Sequence, residues 1–544
     1  MKALLAACGL LMCGTIAHAA TYDQLVKLSG EWRQFEQPKI DKCLPDYSPA
    51  AMAEKAKGLA AMQQKLAAID RKGWSVGQEN DYALIEAEMK GLDFNLRVLK
   101  QWARDPSFYA TIYNERSDVP AHEGSSASPV IDLFAYKFPL SASDQAQLTC
   151  LVGAIPKLLE DAKVMLKDSN AHDLWLYGGR AFREQSATLA EWEAGTLSMR
   201  TLEGPVHGTL EGASPQLKAA VAAARKATDE FGAWVVAQAP SKTGPSGVGK
   251  ENYDWYEKNV HLVPYGWDEQ MTLLQRELER SHAALRLEEF HNRNLPEAKP
   301  IDDPQAFPAF AKGKMKRITD FMISAGIVPE KDYYRAAMMT QAAGFVAPDK
   351  RNFFEHGIAR DPLGLYSHDY HWIELARLKY EPNASPIRRL PVLSNMFDTR
   401  SEGLATAMEE LFLHAGLYDD DPRGREIVWI MLANRAARGI ASLKVQANEM
   451  NLLEAGQFHA RWTPRGWSDA KSDLVAFEQL LYLRQPGYGA SYIIGKLQFD
   501  KLITDVEHQK EEKGQPFSLP DFFAGFNKAG IMPFALIDRE MTNP

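Results

Sequence analysis

Apolar residues recur at spacings of three and four along most of the chain, whereas strict polar/apolar alternation is scarce. The first pattern places apolar side chains on one helical face, and the second is typical of a half-buried strand. The pattern therefore predicts an all-α fold in which any sheet is small. The clearest helices are predicted over residues 49–70, 79–104, 144–167, 172–200, 215–237 and 267–293.

Several of these helices are preceded by residues that favour a helix N-terminus. Ser48-Pro49 and Ser214-Pro215 each combine a capping hydroxyl with a proline suited to the first turn, and Ser141 opens a Ser-Ala-Ser-Asp sequence. The acidic run that ends at Pro422 lacks the glycine and the distal glutamate of a calcium loop. We therefore predict a turn there, before a helix that begins near Arg423.

A loop rich in Pro, Gly and Ser covers residues 239–249. It is the most plausible boundary between an N-terminal helical half, residues 20–240, and a C-terminal half, residues 241–544.

Gly244–Lys250 also fits G-x-x-x-x-G-K of a phosphate-binding loop. However, Glu251 stands where a Ser or Thr must ligate Mg²⁺, and its carboxylate would repel phosphate. We predict no nucleotide site.

The first 19 residues have the pattern of a secretory signal peptide. Lys2 precedes an apolar stretch, and Ala17-His18-Ala19 offers a cleavage site before Ala20. The competing lipobox that ends at Cys8 leaves only a short segment ahead of the cysteine. We therefore expect signal residues 1–19 to be removed and the product to be periplasmic or secreted. No later apolar run has the length of a membrane span.

Composition excludes some functions and leaves the cysteines open. The 544-residue chain is 45% hydrophobic with a formal charge of −9, and it has no basic stretch interleaved with aromatics. Nucleic-acid binding is therefore not expected.

Cys43 and Cys150 remain after cleavage. They either pair in an oxidising compartment or lie as two separate buried thiols.

Candidate chemistry concentrates between residues 366 and 408. His368 and His371 lie three residues apart, so on one helix they share a face and could ligate one metal. Glu402, on a second helix, would complete a His/His/Glu zinc site with an open position for water. Asp369 would be the nearest carboxylate to act as base on that water.

A simpler interpretation of the same residues stays open. The two histidines could cap or hydrogen-bond within a polar helix end, and Asp369 could serve the first helical turn. Glu402, Glu409 and Glu410 could form a solvated acidic face. The usual zinc helix reads H-E-x-x-H, whereas this chain has the shorter H-D-x-H.

Four segments carry a resemblance to a known family. Ser401–Leu411 resembles the motif E-G-W-A-L-Y-x-E-x-L, and Glu478–Tyr482 resembles E-x-x-R-Y. Gln485–Gly495 resembles P-G-Q-A-x-S-Y-x-x-G, and Phe522–Pro533 resembles F-x-x-x-x-L-x-x-G-x-x-P. The chain is thereby similar to the family called domain of unknown function 885. The resemblance implies an exported, all-α, metallopeptidase-like scaffold, a large single unit with a central substrate channel.

The departures from the family's motifs fall on the chemistry. The family's metal helix reads H-E-x-x-P-G-H-H-L-Q, and His368-Asp369 aligns with H-E only across a deletion. Ser442 and Gln446 replace the Asp and His of R-x-x-x-D-T-G-x-H, and Leu481 replaces the Arg of E-x-x-R-Y. The residues that carry over cleanly are His371, Glu402, Glu478 and Tyr492.

Two functions follow as hypotheses. The first is a zinc-dependent hydrolase of short peptides or related amides, with His368, His371 and Glu402 as metal ligands and Asp369 as base. Tyr492, or its neighbour Tyr488, could donate to a developing oxyanion, although a tyrosine in such a helix start is more often packing. The second is a catalytically degenerate relative that binds a peptide or small molecule in the same channel.

Overall fold

Helices form the architecture around the candidate site. A computed structural model describes residues 21–119, 130–389 and 397–543. It is 68% helical and 5% strand, which confirms the predicted all-α class. The N-terminal helices are α1 (residues 21–36), α2 (Pro49–Ala67), α3 (Val76–Phe94), α4 (Gln101–Arg104), α5 (Ala142–Met165), α6 (His172–Ala194) and α7 (Pro215–Gln238). The middle helices are α8 (Lys250–Tyr256), α9 (Trp267–His291), α10 (Phe307–Ser324), α11 (Asp332–Met339), α12 (Phe353–Ile358), α13 (Leu363–His368) and α14 (Tyr370–Tyr380). The last helices are α15 (Asp398–His414), α16 (Pro422–Gln446), α17 (Leu452–Trp462), α18 (Asp473–Arg484), α19 (Tyr488–Glu512), α20 (Leu519–Ala529) and α21 (Phe534–Thr542).

The described strands form three two-stranded pairs. Two pairs are antiparallel hairpins, and the third is a short parallel pair. They are β1 (Lys39–Asp41) with β2 (Leu44–Asp46), β3 (Ile112–Tyr113) with β4 (Ile131–Asp132), and β5 (Leu197–Thr201) with β6 (Gly204–Gly208). Each strand is short, as the scarcity of alternating sequence predicts.

The predicted helix starts are confirmed at three caps. The side chains of Ser48, Ser141 and Ser214 each accept a hydrogen bond from a backbone N–H in the first turn of α2, α5 and α7. Such bonds satisfy amide groups that have no partner within the helix. The predicted turn before residue 423 is also present, because α16 begins at Pro422.

One predicted helix runs too long, and another is interrupted. The helix predicted to reach residue 200 ends at Gly195, whose φ of +72° stops α6 and leads into β5. The helix predicted over 79–104 is interrupted after α3 by a π-helical turn, Asn95–Leu99, and by Lys100 at φ +45°. A left-handed residue ends a helix regularly, and apolar spacing does not reveal where one occurs.

The described residues pack into one large core and several smaller ones. The large core draws buried side chains from Leu84 to Ile537, and the second draws them from Tyr47 to Ala239. Cys43, beside β1, is disulfide-bonded to Cys150 of α5, so the paired alternative is the one that the structure shows. The proposed division at residue 240 stays a prediction.

The centre of the molecule is a set of buried helices. Helix α16 is buried around nearly its whole circumference, as is α15. Helix α16 packs along α9 and α19, and α15 packs along α19. A helix buried all round is normally apolar, yet α15 and α16 carry Arg400, Glu402, Glu409, Arg435 and Arg438 at 2% exposure or less.

The loop of residues 239–249 packs against the end of α16. A Cβ on Gly247 would lie 2.3 Å from the carbonyl oxygen of Val445. The Gly247 N–H donates to the Asn448 side chain, and the Gly249 N–H donates to the Gln446 carbonyl. These amides already have protein partners, and the prediction of no nucleotide site stays a prediction. The predicted signal peptide lies outside the described residues. Within them, no helix combines the length and apolar character needed to span a membrane.

Candidate metal centre and its cavity

His368, His371 and Glu402 meet in the buried centre of the molecule. The Nε2 atoms of His368 and His371 lie 3.1 and 3.3 Å from the same oxygen, Oε2 of Glu402. One donor atom from each residue lies within 4.8 Å of the other two. All three side chains are buried. Two imidazole nitrogens and one carboxylate oxygen form a donor set that suits zinc and leaves a position open.

The local fold brings the two histidines together differently from the sequence prediction. We expected one continuous helix, but α13 ends at His368 and α14 starts at Tyr370. Asp369 forms the break, with φ −62° and ψ 4°. The two imidazole rings nevertheless lie 5.0 Å apart, nearly perpendicular to each other. Both histidines therefore face Glu402 across a helix junction.

A second set of contacts orients His368. Its Nδ1 atom lies 3.1 Å from Oε1 of Glu409. Glu409 lies about two helical turns after Glu402 on α15. Nη2 of Arg435, which can only donate, also lies 3.1 Å from the Nδ1 of His368. A proton on Nδ1 would donate to Glu409 instead and would leave Nε2 free to act as a ligand. Arg435 of α16 donates to both oxygens of Glu409, at 3.1 and 3.3 Å from its Nε. Metal-ligating histidines commonly have such a carboxylate partner.

Glu402 is held on its other side by α19. The hydroxyl of Tyr488 donates to Oε1 of Glu402, while Oε2 faces the histidines. Helices α15 and α19 approach closely here, since a Cβ on Gly403 would lie 2.3 Å from the Cα of Gly495. The small residues let the two backbones touch, and Glu402 and Tyr488 meet beside this contact.

The electrostatics of the centre favour a charged Glu402. Burial alone would raise the pKa of Glu402, but hydrogen bonds from His368 and His371 outweigh it and hold that pKa well below its ordinary value. Burial alone would lower the pKa of His371, but the hydrogen bond and charge of Glu402 raise it to about 9. These opposite shifts describe a buried imidazolium–carboxylate pair whose proton a metal would replace.

The alternative of a solvated acidic face is wrong. Glu402, Glu409 and Glu410 are 2%, 0% and 7% exposed. Glu410 is bound by Arg280 and Lys496, whose contacts lower its pKa to about 2 although burial opposes them. Buried acids occur only where partners compensate the lost hydration, and each of these acids has its own.

A cavity of about 460 Å³ reaches the metal-site residues. Its wall includes His368, Glu402 and Tyr492, together with Asp118 and Arg200 from the N-terminal part of the chain. The volume falls in the range of small-molecule sites. The cavity thus joins the metal-site residues to a space in which a substrate could bind.

The two residues predicted to be catalytic lie beside this centre. The ring of Tyr492 stacks at 6.0 Å from His368 and lies under the guanidinium of Arg438, at 4.1 Å. Asp369 is not among the lining residues of the cavity. Burial raises the pKa of its carboxyl to about 7; the charge of Asp118 adds to the rise, and His371 and Arg200 oppose it.

The departures from the family's motifs have structural roles here. The Gln446 side chain donates to the carbonyls of Tyr482 and Leu483. Ser442 packs against Gly489, where an added Cβ would lie 2.5 Å from the Cβ of Ser442. Glu478, which carries over from the family's motif, binds Arg438, and burial raises the pKa of Glu478. Of this group, Glu478 and Arg438 line the cavity.

Sequence reasoning missed the residues that support the ligands. Glu409 was considered only as part of an exposed face, and Arg435 was not singled out. Glu402 and Glu409 are seven residues apart, which places both on one face of α15. This spacing is a sequence signal that Glu409 lies on the same side of the helix as Glu402. Arg435 carries no local signal, because its place depends on how α16 packs.

Comparisons with known proteins agree with this fold. The chain is similar over 96% of its length to two solved structures, each covered to 98%. One is a candidate lipoprotein of unknown function from Shewanella oneidensis, with a TM-score of 0.65 and 14% identity. The other is a candidate lipoprotein from Colwellia psychrerythraea, with a TM-score of 0.66 and 14% identity. At this identity the likeness shows the fold alone.

Sequence comparison identifies a family rather than an activity. None of the curated proteins matches the chain. Residues 30–343 match the family described as bacterial protein of unknown function (DUF885). The match covers more than half of the chain and ends before His368, so it does not itself carry the metal-site residues. It does establish membership, and the chain belongs to the DUF885 family of bacterial proteins.

Proposed function

We propose that this protein is an exported, metal-dependent hydrolase of short peptides or related amides. The observation that carries the proposal is the convergence of His368 and His371 on one oxygen of Glu402 beside a cavity. These three residues would hold zinc. When bound, zinc supplies a Lewis acid that polarises a carbonyl group and lowers the pKa of water.

The remaining chemistry belongs to side chains around the cavity. Asp369 is the proposed base, because a carboxyl whose pKa is raised to about 7 by burial can take up a proton near neutral pH. Tyr492 is the proposed donor to the oxyanion that develops on the substrate carbonyl. Arg438, packed over the ring of Tyr492, and Glu478 fix that side of the cavity.

A non-catalytic binding protein is the second candidate, and two observations favour it. Asp369 does not line the cavity, and its side chain is shorter than glutamate by one methylene, about 1–1.5 Å. A displacement of about 1 Å can reduce a rate on the order of a hundredfold. In that case the same cavity binds a peptide or small molecule without cleaving it.

Export is proposed from two separate features. Residues 1–19 have the composition of a cleavable signal peptide, and the Cys43–Cys150 disulfide suits an oxidising compartment. A periplasmic or secreted location follows. Fractionation of cells that express the full chain, with mass determination of the product, tests cleavage after Ala19.

Peptide hydrolysis by the mature, zinc-loaded protein tests the proposed reaction. We expect slow turnover that Asp369→Asn abolishes without changing the zinc content. Asp369→Glu is the sharper comparison, because a longer acid should raise the rate if short reach limits it. Full activity in Asp369→Asn would remove Asp369 from the mechanism. Zinc-free protein that still binds peptides would favour the binding protein instead.

A further inference from the structure

Two arginines share a short stretch of wall in the cavity. Residues 115 and 200 form a parallel β-bridge, and the Arg116 N–H donates to the carbonyl of Arg200 at 3.0 Å. Arg116 and Arg200 both line the cavity that contains His368 and Glu402. The backbone bridge fixes the two guanidinium-bearing residues next to each other, away from the helices that supply the metal ligands.

The two other arginines of this cavity are neutralised by buried acids. Arg435 is paired with Glu409, and Arg438 is paired with Glu478. These two ion pairs have side-chain exposures of 6% or less. Arg435 and Arg438 are therefore committed to the protein, and neither supplies free positive charge to a ligand.

Arg116 and Arg200 differ from that pattern. Within the described residues, the buried Nε of Arg116 has no hydrogen-bond partner. Arg200 has a 3.6 Å contact with the exposed Glu115, and such pairs contribute little. Its Nη1 also donates to Oε1 of Gln341 at 3.3 Å, a neutral partner that leaves the positive charge of Arg200 uncompensated. Its guanidinium lies 5.3 Å from the ring of Trp372, the residue next to His371 on α14. A buried donor without a partner requires water or a ligand.

We propose that Arg116 and Arg200 bind the free α-carboxylate of a short peptide, which makes the substrate class peptides with an unblocked C-terminus. This inference rests on the proposed function for the position of the scissile bond, but not for the carboxylate contact. Guanidinium groups bind carboxylates through paired, charge-assisted hydrogen bonds. The contact would supply the partner that Arg116 lacks and orient the peptide toward His368 and Glu402.

Asp118 lines the same cavity and defines the competing arrangement. A substrate ammonium group bound by Asp118 would instead orient the peptide by its N-terminus. The two arrangements predict opposite effects of blocking each end of a peptide.

A blocked-peptide library tests the carboxylate contact. The mature protein is incubated with a random pool of N-acetylated tripeptides, supplied either as free acids or as C-terminal amides, and binding is measured by competition. We expect the acids to bind about tenfold or more tightly than the amides. Arg116→Gln should remove most of this preference, and Arg116→Lys should restore part of it. Arg276→Gln, at an exposed position of α9, is the matched control.

Three outcomes would overturn the inference: equal binding of acids and amides, no binding of the acid pool, or a preference governed by the N-terminal block. Zinc content and hydrolysis are measured on the same samples, so the two proposals fail separately. Zinc-containing protein that cleaves amides as fast as acids contradicts only the carboxylate site. Zinc-free protein whose preference for acids depends on Arg116 supports the carboxylate site and contradicts the hydrolase.

Discussion

At the scale of single residues, one proton on His371 links the charge of the centre to metal binding. The hydrogen bond and charge of Glu402 overcome burial and raise the pKa of His371 to about 9. A ligand imidazole must be neutral, so a metal bound as proposed would have to displace this proton. Because the folded-state pKa is raised, the favourable pairing with Glu402 is complete below about pH 6.5 and is lost as pH rises through about 9. With His371 as a ligand, as proposed, protons would compete with the metal across that window.

We expect the zinc affinity of the mature protein to rise with pH between 7 and 8.5. The increase should approach about tenfold per pH unit, because one proton is released for each metal bound below the pKa. Titration in zinc buffers at several pH values measures this slope. An affinity that is flat across the range would mean that His371 either is not a ligand or carries no proton to lose.

The residues themselves show how far sequence reasoning extends. His368, His371 and Glu402 were predicted together, because histidines at short spacing and a motif-borne glutamate have recognisable chemistry. Tyr488 was considered as an oxyanion donor, whereas it donates to Glu402. Its partner lies 86 positions away in sequence. Contacts at that separation arise from helix packing, which local spacing does not encode.

At the scale of elements, the crossing of α15 and α19 positions the centre. Thr399 and Gly403 of α15 face Gly495 of α19, and a Cβ on Gly495 would lie 2.0 Å from the Thr399 carbonyl oxygen. Backbones this close leave no room for any side chain. Glu402 is the neighbour of Gly403 and is held by the same crossing.

Gly403→Ala should therefore damage both stability and metal binding. The added methyl group would meet the Gly495 backbone, which cannot move aside as a flexible side chain can. We expect a loss of about 1–3 kcal/mol in the free energy of unfolding, the usual range for overpacking, together with reduced zinc content. Denaturant unfolding and metal analysis measure the two effects.

Gly313→Ala on α10 is the matched control, because its Cβ would meet nothing within 4 Å. Alanine is the better helix former, so this variant should be unchanged or more stable by up to about 1 kcal/mol. Wild-type stability and zinc content in Gly403→Ala would contradict the account of the crossing.

The starts of helices followed from the sequence better than their C-terminal ends and internal breaks. The starts of α2, α5 and α7 were predicted because each has a serine cap. The break between α13 and α14 at Asp369 was not predicted. Residues 365–380, which contain this break, include no glycine or proline, and the apolar spacing continues through them. The junction lies between the two histidines that contact Glu402.

At the scale of the whole molecule, the disulfide and the centre belong to different parts of the structure. Cys43 and Cys150 are 107 residues apart and lie beside elements of the second core. The metal-site residues lie on α13, α14 and α15, which pack into the large core. Each can therefore be perturbed with the other intact.

Replacing both cysteines by serine should lower stability without affecting the centre. Closing a loop of about 100 residues restricts the unfolded chain, and loss of a native disulfide typically costs about 2–5 kcal/mol. We expect a lower thermal midpoint in Cys43→Ser/Cys150→Ser and unchanged zinc content. Loss of zinc with the disulfide would show that the two cores are coupled more tightly than their packing indicates.

The most direct test of the central claim is the zinc content of the mature protein and of two glutamate variants. Elemental analysis after dialysis against trace zinc should give one equivalent for the wild type and almost none for Glu402→Gln, with circular dichroism showing that both are helical. Glu381→Gln, at the end of α14 where a glutamine can still accept from Tyr333 and Tyr334, should keep its zinc. A wild type that binds no zinc, or a folded Glu402→Gln that retains it all, would contradict the proposal that His368, His371 and Glu402 form a metal site.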